Sequence, residues 1–170
     1  MNIFVLDLDP TLAARMQCDK HVVKMPLESA QMLSTAHQVF DDSSQPQAAT
    51  LPFYKMAFKN HPCSIWARQN TANYLWLYEH FKALCAEYKF RYFKDHMSWL
   101  KLGDALALPP ARVPVDVDVT PFAQAMPEQY KHDDAVVAYR QYYVGEKSKF
   151  LRYRNRRRPA WLEDMLDAAA

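Results

Sequence analysis

Gly103 and Gly145 are the only two glycines in a chain of 170 residues. Barrels, dinucleotide-binding units and phosphate loops use glycine for tight turns and close backbone approach, so those architectures are disfavoured and helices are expected. The clearest helical pattern runs from Asp19 to Phe40. Val22, Val23, Leu27, Ala30, Leu33, Ala36 and Val39 recur there at spacings near three and four, which predicts a core helix with one apolar stripe. His21, Lys24, Glu28 and Gln31 share one edge of that stripe, because side chains three and four positions apart meet on a helix. Pro26 lacks an amide proton and crowds the preceding turn, so it should bend the helix and aim Lys24 and Glu28 at a common space. The plainer interpretation is a surface Lys–Glu pair on a kinked core helix, of little energetic weight.

Half the residues are apolar and 14% are aromatic, enough to bury a core in one helical domain spanning residues 1–170. Residues 1–8, MNIFVLDL, are extended in character and lack a second strong strand to pair with, which predicts an arm packed between helices. Asp9 and Pro10 suit the start of a short helix ending near Gln17, and Asp19 suits a cap on the central helix. Residues 41–52 are rich in Ser, Gln, Asp and Pro and read as a surface loop. From His61-Pro62 an apolar stripe through Trp66, Tyr74, Leu77, Phe81, Leu84 and Tyr88 predicts one long helix over residues 63–90. Its amino-terminal amides, near His61, would suit an anion such as phosphate; the alternative is that His61 caps or packs the helix start. Prolines 109, 110, 114, 121 and 127 forbid long helices beyond a short one within residues 97–108. A further helix is expected from Asp133 to about Lys149, and WLEDMLDAAA suggests a short amphipathic helix that frays.

Net charge is only +2, but Lys147, Lys149, Arg152, Arg154, Arg156, Arg157 and Arg158 follow one another without an intervening acid. Phe150 and Tyr153 interleave with them, as in surfaces that track phosphates and stack on bases; a solvated tail is the alternative. Cys18, Cys63 and Cys85 are odd in number and widely spaced, and no apolar run is long enough to span a membrane. A reduced cytoplasmic protein is the expectation. His61 and Cys63 with His21 or Cys85 lack the spacing of a known metal motif, so no metal and no cofactor are predicted. Cys18–His21 and Cys63–His61 nucleophile pairs are equally generic, since cysteine is commonly a small buried apolar group.

Three stretches, in order, resemble the pyrimidine-dimer DNA glycosylase family, that of the phage endonuclease V. The first is LAARMQCDKHVVKMPLESAQML, in which Lys20, Lys24, Glu28, Gln31 and Leu33 match the family's basic helix. The second is NHPCSIWA, residues 60–67, like the family's His-Pro opening of a long helix. The third is MPEQYKHDDAVVAYRQYYVGEK, residues 126–147, followed by RPAW at 158–161.

The resemblance implies an all-α, endonuclease V-like domain of long kinked helices with its amino-terminal arm threaded between two of them. It also implies a DNA-repair glycosylase with abasic-site lyase activity, acting as a monomer on damaged or modified pyrimidines in double-stranded DNA, in the host cytoplasm if the chain is phage-encoded. The catalytic set it implies is the terminal α-amine, carried by Asn2 once the initiator methionine is gone, with Glu28 as the carboxylate and Lys24 beside it. The DNA-contacting set is Lys20, His21, His61, Arg68, Arg140, Lys147, Lys149, Arg152, Arg154 and Arg156. Two alternatives stay open: a non-catalytic DNA-binding protein on the same fold, and a phage enzyme that modifies a flipped pyrimidine without excising it.

Overall fold

The computed structural model describes residues 1–40 and 52–168, and among these there is no strand. The described helices are α1 (Pro10–Arg15), α2 (Asp19–Phe40), α3 (Pro62–Ala67), α4 (Thr71–Tyr92), α5 (Met97–Leu102), α6 (Ala135–Lys147) and α7 (Ala160–Ala168), with single 3-10 turns at Glu128–Tyr130 and Ser148–Phe150. The all-α expectation therefore holds. The loop expected over residues 41–52 falls, but for Pro52, outside the described residues, as does the end of the last helix at 169 and 170.

Local chemistry sets most of the helix starts. The Asp9 carboxylate accepts the Thr11 and Leu12 amides at 2.7 and 2.8 Å, and Pro10 occupies the first turn, where its missing amide proton costs nothing. Asp134 caps α6 in the same way, through Val136 and Val137. Asp19, expected to cap α2, is instead its first residue. The His21 and Val22 amides go to the Cys18 carbonyl, each at 3.0 Å, which frees the Asp19 carboxylate for Arg91 Nη1 and the Arg154 amide, both at 2.9 Å.

The single helix expected over residues 63–90 is two. Arg68 closes α3, and Asn70 adopts extended backbone and accepts the Asn73 amide at 2.8 Å to start α4 afresh. Asn73 Nδ2 then donates to the Trp66 carbonyl at 2.9 Å, tying the two helices at the break. The stripe continues across it because Trp66 and Tyr74 are both buried.

The core lies between α2 and α4, with the arm packed into it: Ile3, Phe4, Val5 and Leu6 are all buried. Polar anchors hold the arm in place. Trp76 Nε1 donates to the Leu8 carbonyl at 2.8 Å, and Arg140 Nε on α6 donates to the Leu6 carbonyl at 3.0 Å. Among the described residues no helix is long and apolar enough to cross a membrane, and the three cysteines are buried free thiols.

Neither glycine has positive φ; left-handed backbone is carried by Phe4, Phe58, Phe93 and Asn155. The glycines provide room: a Cβ on Gly145 would run into the Tyr130 ring. Phe93 ends α4 with φ of 58° while its side chain stays mostly in solvent. Phe93→Gly should therefore raise unfolding free energy by about 1 kcal/mol, because it relieves left-handed strain and gives up little packing. Denaturant titration would measure it, and a fall in stability would mean that the ring is held by packing worth more than the strain.

Candidate active site

Glu28 is on the second turn of α2 past His21 and is only 7% exposed. A buried carboxylate is costly unless donors surround it. Three donors do so here. Lys24 Nζ reaches Oε1 at 3.1 Å, the Asn2 amide donates to Oε2 at 3.0 Å, and the terminal amine of Met1 stands 3.6 Å from the same oxygen. The spacing-of-four pair expected from the sequence thus forms, but it is not the plain surface pair: its acid is buried, while the Lys24 side chain is 68% exposed.

These groups line a cleft of about 230 Å³ between the arm, α2 and α6, closed on the far side by Tyr142 and Lys147 of α6 and by Ala125. The arm is shaped for this position. Asn2 Oδ1 accepts the amides of Ile3 and Phe4 at 2.8 and 3.3 Å, and its Nδ2 donates to the Ala125 carbonyl at 2.8 Å. Phe4 takes a φ of 41° and places its ring between His21 and Tyr142, stacked on both, with centroids 4.2 and 6.2 Å away. Left-handed backbone on a phenylalanine is strained and persists only where its surroundings hold it.

His21 also lines the cleft. Its Nδ1 lies 2.7 Å from the Tyr143 hydroxyl, which accepts the Cys18 amide. Burial, with Lys147, Lys24 and Lys20 nearby, pushes its pKa down to about 3, so the ring is neutral at physiological pH. His61 caps α3, its Nδ1 accepting the Cys63 amide at 3.2 Å. Burial lowers its pKa, the terminal amine lowers it further and Glu28 opposes them, so His61 lies in the field of both groups.

The remaining cations divide. Lys20, Lys149 and Arg152 line a second cleft of about 320 Å³ with Phe150 and Asp19, and Lys20 lies over the Phe150 ring at 4.5 Å. Phe150 meets His21 edge-on at 6.0 Å, so the two clefts share a wall. Lys147 sits over Tyr142 at 4.7 Å. Arg140 braces the arm, and its guanidinium lies over Trp161. Arg156 chelates the Glu87 carboxylate at 2.8 and 2.6 Å, and Arg154 lies over Tyr92 with its amide on Asp19. Arg68 caps α3 and lines neither cleft. The contributions of Met1, Phe4, Ala125, Tyr142 and Tyr143 are absent from the sequence expectation; the adjacent tyrosines on α6 are the one visible signal. Among the described residues no group of three or more His, Cys, Asp or Glu is placed to hold a metal ion.

The site is thus a buried carboxylate facing an amine in a cleft edged by lysines. The family profile described as pyrimidine dimer DNA glycosylase matches residues 1–101 of this chain. The chain belongs to that family of DNA-acting glycosylases, and the match contains the arm, Lys24, Glu28 and His61. No curated protein and no solved structure matches the chain.

Proposed function

We propose that this protein is a glycosylase with abasic-site lyase activity that excises a damaged or modified pyrimidine from duplex DNA and then cuts the strand. The observation that carries the reading is the terminal amine 3.6 Å from the buried Glu28 carboxylate. In this scheme the neutral amine attacks the sugar C1′, the bond from C1′ to the base breaks, and the electron pair leaves with the base, which takes up the proton lost by nitrogen. The C1′–O4′ bond then opens, O4′ taking a proton from solvent as the nitrogen lone pair forms the protonated imine, and the imine acidifies C2′; loss of a C2′ proton expels the 3′ phosphate. Glu28 orients the amine and offsets the positive charge of the imine, and neutral His21 and the Phe4 ring form a wall that does not repel it.

The test is direct. A duplex with one abasic site should be cleaved with a β-elimination end, and borohydride should trap a covalent protein–DNA adduct. DNA binding without cleavage or adduct would favour a non-catalytic binding protein on the same fold.

The second cleft supports a grip on the DNA backbone beyond the reacting nucleotide. Lys149 and Arg152 face it, whereas the Arg156 charge is already taken by Glu87. Lys149→Ala with Arg152→Ala should reduce the salt slope of DNA binding by about 0.9 for each phosphate that the two side chains neutralise. A slope unchanged from wild type would make that cleft irrelevant to DNA.

A further inference from the structure

A third cleft, of about 310 Å³, lies between α1 and the start of α7 and shares no residue with the two already described. Leu12 and Met16 line it from α1, and Pro159 and Trp161 line it from α7, so its middle is apolar. Leu12 is 42% exposed, much for a large aliphatic side chain. The cations of the lining are Arg15, Arg156 and Arg157, and there is no acid. Arg156 is held by Glu87. Arg15 and Arg157 are exposed, and among the described residues neither side chain has an ion-pair or hydrogen-bond partner. An open apolar hollow edged by unpaired cations suits an occupant that is apolar at its centre and anionic around it.

We propose that this cleft docks an acidic peptide segment of another protein, with one large apolar side chain seated between Leu12 and Trp161 and neighbouring carboxylates on Arg15 and Arg157. The alternative anion is a nucleotide, and the lining disfavours it. The Trp161 indole N–H is turned to the Met16 sulfur at 3.4 Å, and the Arg140 guanidinium lies over the same ring at 4.9 Å. Apart from the arginines, no lining side chain is then free to pair with the edge of a base, and the indole has at most one face left for stacking. A base buried there would leave ring nitrogens and carbonyls unpaired, which is costly. An apolar side chain has nothing to pair, and the volume is that of a pocket for one anchor residue. The proposal goes beyond the glycosylase–lyase reading and does not depend on it. Because the cleft shares no residue with the other two, a partner held here leaves the site at Glu28 open.

The full chain is titrated into a fluorescently labelled synthetic peptide in which a run of aspartates precedes a phenylalanine, and anisotropy is read with and without a saturating abasic-site duplex. The expected result is saturable binding that the duplex does not displace and that weakens about tenfold or more when alanine replaces the peptide's phenylalanine. Leu12→Ser combined with Arg15→Gln should weaken the peptide by a similar factor and leave duplex affinity unchanged. Both residues are exposed, so the variant should keep the fold, which circular dichroism checks. Absence of binding would overturn the proposal, and so would binding indifferent to the phenylalanine, which is charge attraction alone. Displacement by the duplex, with duplex affinity lost in the variant, would also overturn it and make the cleft a third contact on nucleic acid.

Discussion

Glu28→Gln should leave a folded protein that binds DNA as tightly as wild type and turns over about a hundredfold more slowly or worse, the usual effect of losing a positioned acid–base group. The glutamine oxygen can still accept the Asn2 amide, so the arm keeps its anchor. The negative charge is what disappears, and with it, in the proposed scheme, the means to orient the amine and balance the imine. Lys24→Met provides the comparison. Lys24 touches Oε1 from a largely exposed position, so its removal should cost only a small part of the rate. Single-turnover cleavage of an abasic duplex, with affinity measured separately, distinguishes these outcomes. If Glu28→Gln cleaves within a few-fold of wild type, the carboxylate is an arm anchor and the catalytic assignment falls.

Half of this site is legible in the sequence. Lys24 and Glu28 are four apart on a strongly periodic helix, so their meeting follows from helix geometry. Their third partner does not follow from helix geometry and is expected from the family resemblance alone, because the amine comes from an arm whose path is set by side-chain anchors far along the chain: Asn2 to Ala125, and Leu6 to Arg140. The break between α3 and α4 is hidden by an apolar stripe that runs straight over it. The cap that causes it, Asn70, escapes notice because asparagine carries no weight in a count of apolar positions. The basic segment misleads in another way. It contains no acid, so every cation in it reads as free for DNA, yet the acid that claims Arg156 is Glu87, 69 residues away on α4. Sequence proximity governs local charge patterns, and tertiary packing overrides them wherever a carboxylate is buried.

That burial leads to the second large effect. Glu87 is 3% exposed and Arg91 is fully buried, joined through Nε at 2.8 Å. Arg91 also reaches Asp19 Oδ1 at 2.9 Å and the Arg15 carbonyl at 3.1 Å, while Glu87 holds Arg156 with both oxygens. The network fastens the start of α2, the end of α4 and the basic segment to one another. Glu87→Gln would remove its central charge and leave the Arg91 guanidinium in the core with Asp19 as its remaining acid. Breaking a buried pair from one side costs about 3–5 kcal/mol, and Asp19, which is partly exposed, should hold the cost to the lower end. The surface pair Lys82–Glu79, about half-exposed on both sides at 3.3 Å, is the internal control: Glu79→Gln should cost no more than about 1 kcal/mol. Urea titration of both variants reads the difference as a shift in midpoint at constant slope. Because Arg156 is set free in the first variant, the basic segment should loosen from α4, and DNA binding should weaken before global unfolding begins. Equal midpoints for the two variants would mean that the network contributes no more than a surface ion pair, and that other contacts, among them the Arg154 amide on Asp19 and the buried Leu151, keep the segment beside the clefts.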